Sequence, residues 1–94
     1  MIEVKRRPGD DPLAFEVTIR AADGETRHRV TMSRADAMRL GQSANPERCV
    51  EAAFRFLLDR EPKDSILARF DIAIIKRYFP EFEREFPRYL APSG

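Results

Sequence analysis

Hydrophobic residues alternate with polar ones over the first third of the chain, then recur every three or four positions. A period of two marks strands and a period near 3.6 marks helices. Ile2 and Val4 face one way and Glu3 and Lys5 the other, which predicts a strand over 2–6. Residues 7–12 contain Pro8, Gly9 and Pro12 and read as a loop. From Leu13 to Met32 the alternation resumes on both sides of Asp23-Gly24, a dipeptide that favours a two-residue type I′ hairpin turn. A turn centred there sets Ile19 opposite His28, Val17 opposite Val30 and Phe15 opposite Met32 on the apolar face. The other face then pairs Arg20 with Arg27, Thr18 with Arg29 and Glu16 with Thr31.

Helical spacing follows. Ser33 and Asp36 form a capping pair, and Gly41 is a stop for the short helix between them. Asn45 followed by Pro46 is a second helix start. The helix it opens, 46–60, carries Val50, Ala53, Phe54, Leu57 and Leu58 as one stripe, widened by Cys49 and Phe56. Residues 60–64 read as a loop and 65–70 as a short helix. Asp71 caps a further helix over 72–79. Pro80 then opens a last turn that Pro87 should end or bend. The expected architecture is a small α+β domain: a three-stranded antiparallel sheet, made of the N-terminal strand and the Asp-Gly hairpin, with three to four C-terminal helices on one face. A single domain over 1–90 is expected, with 91–94 a disordered tail.

Composition narrows the classes. The 94 residues suit one core and are 43% hydrophobic and 35% charged, neither disordered-like nor membrane-like. No apolar run approaches the ~20 residues of a membrane span, and the opening residues lack the apolar stretch of a secretory signal. A single cysteine excludes an internal disulfide framework, and a cytoplasmic location is expected. Basic and acidic residues number 17 and 16, so overall charge does not point to nucleic acid or an anionic membrane.

Phe56-Leu57-Leu58…Arg60-Glu61-Pro62 and Phe70-Asp71…Tyr78-Phe79-Pro80-Glu81-Phe82 resemble segments of a small, uncharacterised bacterial family in which a β-hairpin precedes helices. The resemblance implies the α+β layout and no activity, so no functional residue carries over.

Candidate chemistry is sparse. His28, the one histidine, falls at the rim of the core with its polar tip expected in water, and no nucleophile or carboxylate is patterned around it. One His and one Cys make no metal site, and no cofactor is implied. Cys49, in the first turn of the 46–60 helix, could have a lowered thiol pKa there; its place beside the core reads as inert packing. Phosphate-binding glycine loops and nucleophile elbows are absent, and the chain is not expected to be an enzyme. Two surfaces remain as binding candidates. Phe79, Phe82, Phe86 and Tyr89 lie on one helical face, either the last piece of core or a protein interface. Arg20, Arg27 and Arg29 on the sheet, with Lys76 and Arg77 in a helix-turn-helix-like stretch over 64–79, are candidate anion or nucleic-acid contacts. The leading expectation is a non-catalytic protein-interaction or accessory domain acting on a protein partner or on itself as a homodimer; the alternative is a nucleic-acid-binding regulator.

Overall fold

The computed structural model describes residues 1–41 and 44–91. Among these, β1 (Ile2–Arg7), β2 (Leu13–Ala21), β3 (Gly24–Met32) and β4 (Arg69–Asp71) form one sheet in the order β1-β2-β3-β4. The first three strands are antiparallel, and β4 joins β3 in parallel. The helices are α1 (Arg34–Gly41), α2 (Pro46–Leu58), α3 (Ile75–Tyr78) and α4 (Phe82–Leu90). The α+β class is as the hydrophobic pattern predicts. The sheet has four strands and is mixed, where three antiparallel strands were expected. Of the expected disordered tail, Ala91 lies at the end of the described residues and the rest outside them.

The hairpin keeps its faces but not its register. Val17 sits opposite His28, Ile19 opposite Thr26 and Arg20 opposite Glu25, with Ala21 paired to Gly24. The turn therefore falls on Ala22-Asp23, one residue before Asp23-Gly24, which shifts every cross-strand pairing by two. Beside that turn Gly24 takes a positive φ of 128°, a value side chains disfavour. A slip of two leaves every residue on its face and changes the charge pairing. Glu25, not Arg27, now faces Arg20, and its carboxylate accepts from both Arg20 Nε (3.3 Å) and Arg27 Nε (3.2 Å). The like-charge pair of the expected register is gone.

Leu13, Phe15, Val17 and Ile19 of β2 and Val30 and Met32 of β3 are buried against Val50, Ala53, Phe54 and Leu57 of α2. The start of α2 follows local chemistry: Asn45 Oδ1 accepts from Arg48 N at 2.8 Å, with proline in the first turn. Ser33 Oγ accepts from Asp36 N at 3.0 Å to start α1. Gly41 is the last residue of α1, and a Cβ there would overlap Cys49 Sγ, so the α1–α2 crossing needs a residue without a side chain.

Residues 65–70 are not a helix. Lys63–Ser65 make one 3-10 turn, and the chain then extends into β4. Asp71 does act as a cap, its Oδ1 accepting from Ala73 N at 2.9 Å, but it opens a 3-10 turn over Ile72–Ile74 that leads into α3. Pro87 does not end the last helix, which runs through it to Leu90. The C-terminal carbonyls of α4 find partners on α2: Arg55 donates to Tyr89 O at 2.6 Å and Arg48 to Leu90 O at 3.0 Å.

Candidate functional site

The aromatic face of the last helix is turned inward. Phe82 and Phe86 are each only 1% exposed, and Phe79 and Tyr89 are partly buried against the same core. They gather around Phe56 of α2, whose ring centroid lies 5.0 Å from Phe82, 5.6 Å from Tyr89 and 5.9 Å from Phe79, all edge-to-face. The Arg60 guanidinium lies 3.7 Å from the centroid of the Phe56 ring and donates to Glu81 Oε2 at 2.9 Å. That hydrogen bond holds the Glu81 carboxyl below its ordinary range and raises Arg60. Phe82 and Phe86 are thus core residues with no ring surface left for a partner.

Three of the five basic candidates lie against carboxylates. Arg20 is tied to Glu3 and Glu25, and Arg27 to Glu25; hydrogen bonds from Arg27 and then Arg20 hold the Glu25 carboxyl low. Arg29 is exposed on the outer sheet face. Lys76 lies 3.7 Å from Glu83, and Arg77 is exposed on α3. The helix-turn-helix reading of 64–79 fails because its first half is a 3-10 turn and a strand. An anion on the sheet would meet carboxylates already engaged with Arg20 and Arg27.

His28 is buried at 2%, against the expectation of a tip in water. Nδ1 is 2.8 Å from Leu67 O and Nε2 2.9 Å from Thr26 Oγ1. A carbonyl only accepts, so Nδ1 donates to Leu67 O, and Nε2 is hydrogen-bonded to the Thr26 hydroxyl. With both nitrogens satisfied and Phe54 at 5.4 Å, His28 is a tether that holds the approach to β4 against β3. Cys49 is likewise buried, and desolvation pushes its thiol up, outweighing the pull of Arg48, which is opposite to what a nucleophile needs. Among the described residues no three His, Cys, Asp or Glu are grouped as a metal would require, and no helix is long and apolar enough to cross a membrane.

The surface that remains unaccounted for lies beside β4. A cleft of about 200 Å³ opens between Leu57 of α2, Ile66 and Leu67 before the strand, Phe70 within it, and Ile75 and Phe79 beyond it. Leu67 is 47% exposed and Tyr78, also on its wall, 64%. The polar groups in its wall, Glu61 and Ser65, supply no nucleophile–base pair. β4 itself closes the sheet on that side, and no strand pairs beyond it among the described residues. Sequence reasoning missed this site because it needs β4, which the 65–70 helix expectation hid. Compared with family models, curated proteins and solved structures, the chain has no match, so its functional reading rests on its own geometry.

Proposed function

We propose that this chain is a non-catalytic protein-interaction domain and that it docks its partner on the β4 side. The carrying observation is the coincidence of an apolar cleft, two exposed apolar side chains and an open strand edge in one place. An exposed apolar cleft rimmed by polar residues is the usual mark of an interaction site. An open edge offers main-chain hydrogen bonds, while a neighbouring pocket can take an alternate side chain of the added strand. The cleft has room for one or two side chains, not for a drug-sized ligand with its own recognition groups. Against nucleic acid stands the pairing of Arg20 and Arg27 with acids, together with the lack of exposed aromatics on the sheet for base stacking.

The test replaces Tyr78 with a photoreactive phenylalanine analogue in the intact chain and irradiates it in living cells. The reading expects a covalent protein adduct at position 78 and none from the same analogue at Arg84, exposed on α4. No adduct at 78, or equal adducts at both positions, would refute it.

A further inference from the structure

The backbone of β4 decides what its edge can pair with. Arg29 N donates to Ala68 O at 2.7 Å, and the parallel register sets Arg29 beside Arg69, Val30 beside Phe70 and Thr31 beside Asp71. Strand hydrogen bonds alternate in direction, so Ala68, Phe70 and Ile72 bond toward β3. Arg69 and Asp71 therefore turn their N–H and C=O groups to the open edge. Their side chains stand on the outer face, while Phe70 points inward to Phe54, 5.7 Å between ring centroids.

The charges on this short strand are self-complementary. Arg69 is exposed, has Arg29 as its neighbour in register, and has no carboxylate partner among the described residues. Asp71 accepts from Thr31 Oγ1 at 2.6 Å and from Ala73 N, leaving acceptor sites on a carboxylate that offers about four. An antiparallel β4–β4 pair with its two-fold axis at Phe70 sets Arg69 of each copy opposite Asp71 of the other. Those are the residues whose backbone groups face outward, so both pairs fall on hydrogen-bonded positions, and Phe70 faces its own copy at the closer non-bonded position. Register, hydrogen-bonding parity and charge agree on one arrangement.

We infer that the occupant of the β4 side is a second copy of this chain, joined edge to edge by antiparallel β4 strands with reciprocal Arg69–Asp71 pairs. The inference rests on the docking reading above and names its partner. A three-residue strand is too short to hold two chains alone, since stable interfaces bury about 1,200–2,000 Å² in total. Leu67 and Tyr78, exposed on the same side, supply the apolar contact, and the interface is isologous, as closed dimers require.

The test is sedimentation equilibrium of the purified full chain across ~1 μM to 1 mM, where small interfaces dissociate. A concentration-dependent dimer is expected. Arg69→Asp sets aspartate against Asp71 twice and should weaken the dimer by about tenfold or more. The same change gives Arg29 an opposite charge as neighbour, so the variant should stay folded by circular dichroism. Lys5→Glu, on the opposite edge strand β1, should leave the dimer unchanged. A monomer throughout the range, a dimer indifferent to Arg69→Asp, or one lost with Lys5→Glu would each overturn the inference. A purified monomer together with an adduct to a different protein at position 78 would overturn the second copy and leave the docking surface standing; no adduct at all would remove both.

Discussion

Replacing Gly41 with alanine adds one methyl group at the tightest point between α1 and α2. The new Cβ would overlap Cys49 Sγ, while the next nearest atom, Cys49 Cβ, lies at an ordinary 3.9 Å. Cys49 is buried on α2 among side chains that are themselves buried, so the sulfur has no free space to enter. Overpacking of this kind costs about 1–3 kcal/mol. In a domain of 94 residues, each kcal/mol lowers Tm by about 4–8 °C. Cys49→Ala alone should cost about 1 kcal/mol for the lost contacts and the small void. In the double variant the methyl at 41 occupies the place the sulfur left, so the two changes compensate. The expected result is a double variant more stable than Gly41→Ala and close to Cys49→Ala, a coupling of at least about 1 kcal/mol by urea or thermal unfolding. Additive costs would refute the overlap and with it the account of why α1 ends in glycine.

The inward aromatic face makes Phe82→Ala and Phe86→Ala costly, about 3–5 kcal/mol each, enough for the pair to unfold a domain of ordinary stability; a melting temperature that hardly moves would place those rings in solvent. Acid should destabilise the fold in a defined window. Glu81, held low first by the Arg60 hydrogen bond, Glu25 by Arg27 and Asp23 by Lys63, all have carboxyls depressed in the folded state. Their contribution is full above the ordinary carboxylate pKa and is lost as pH falls through the lower folded values. Melting temperature should hold from neutral to about pH 5 and then decline; a flat profile down to pH 2 would contradict the pairing.

Much of the fold is legible along the chain because its determinants are local. The Asn45-Pro46 start, the Ser33–Asp36 cap and the α2 stripe each depend on residues within one or two turns. The hairpin faces follow from alternation alone, whereas its register depended on where the positive φ falls, and Asp-Gly is compatible with more than one placement. β4 is set by distant partners. Leu67 O receives His28 and Asp71 receives Thr31 from about 40 residues away, while Ile66, Leu67 and Phe70 have the spacing of a helical turn. A three-residue strand has no periodicity to read. Pro87 misleads for a similar reason, because Arg55 and Arg48, which satisfy the helix end beyond it, sit on α2. The candidate site inherits the gap: its cleft and its edge both exist only once β4 is in place.

Residue-resolved amide hydrogen exchange over a dilution series tests the β4 account most directly. Phe70 N–H, bonded to β3, should be protected at every concentration. Arg69 and Asp71 N–H should exchange slowly in concentrated solution and fast on dilution, as the edge gains and loses its second strand. Fast exchange at Arg69 and Asp71 throughout, with Phe70 protected, would show an edge that stays open and would contradict self-pairing at β4.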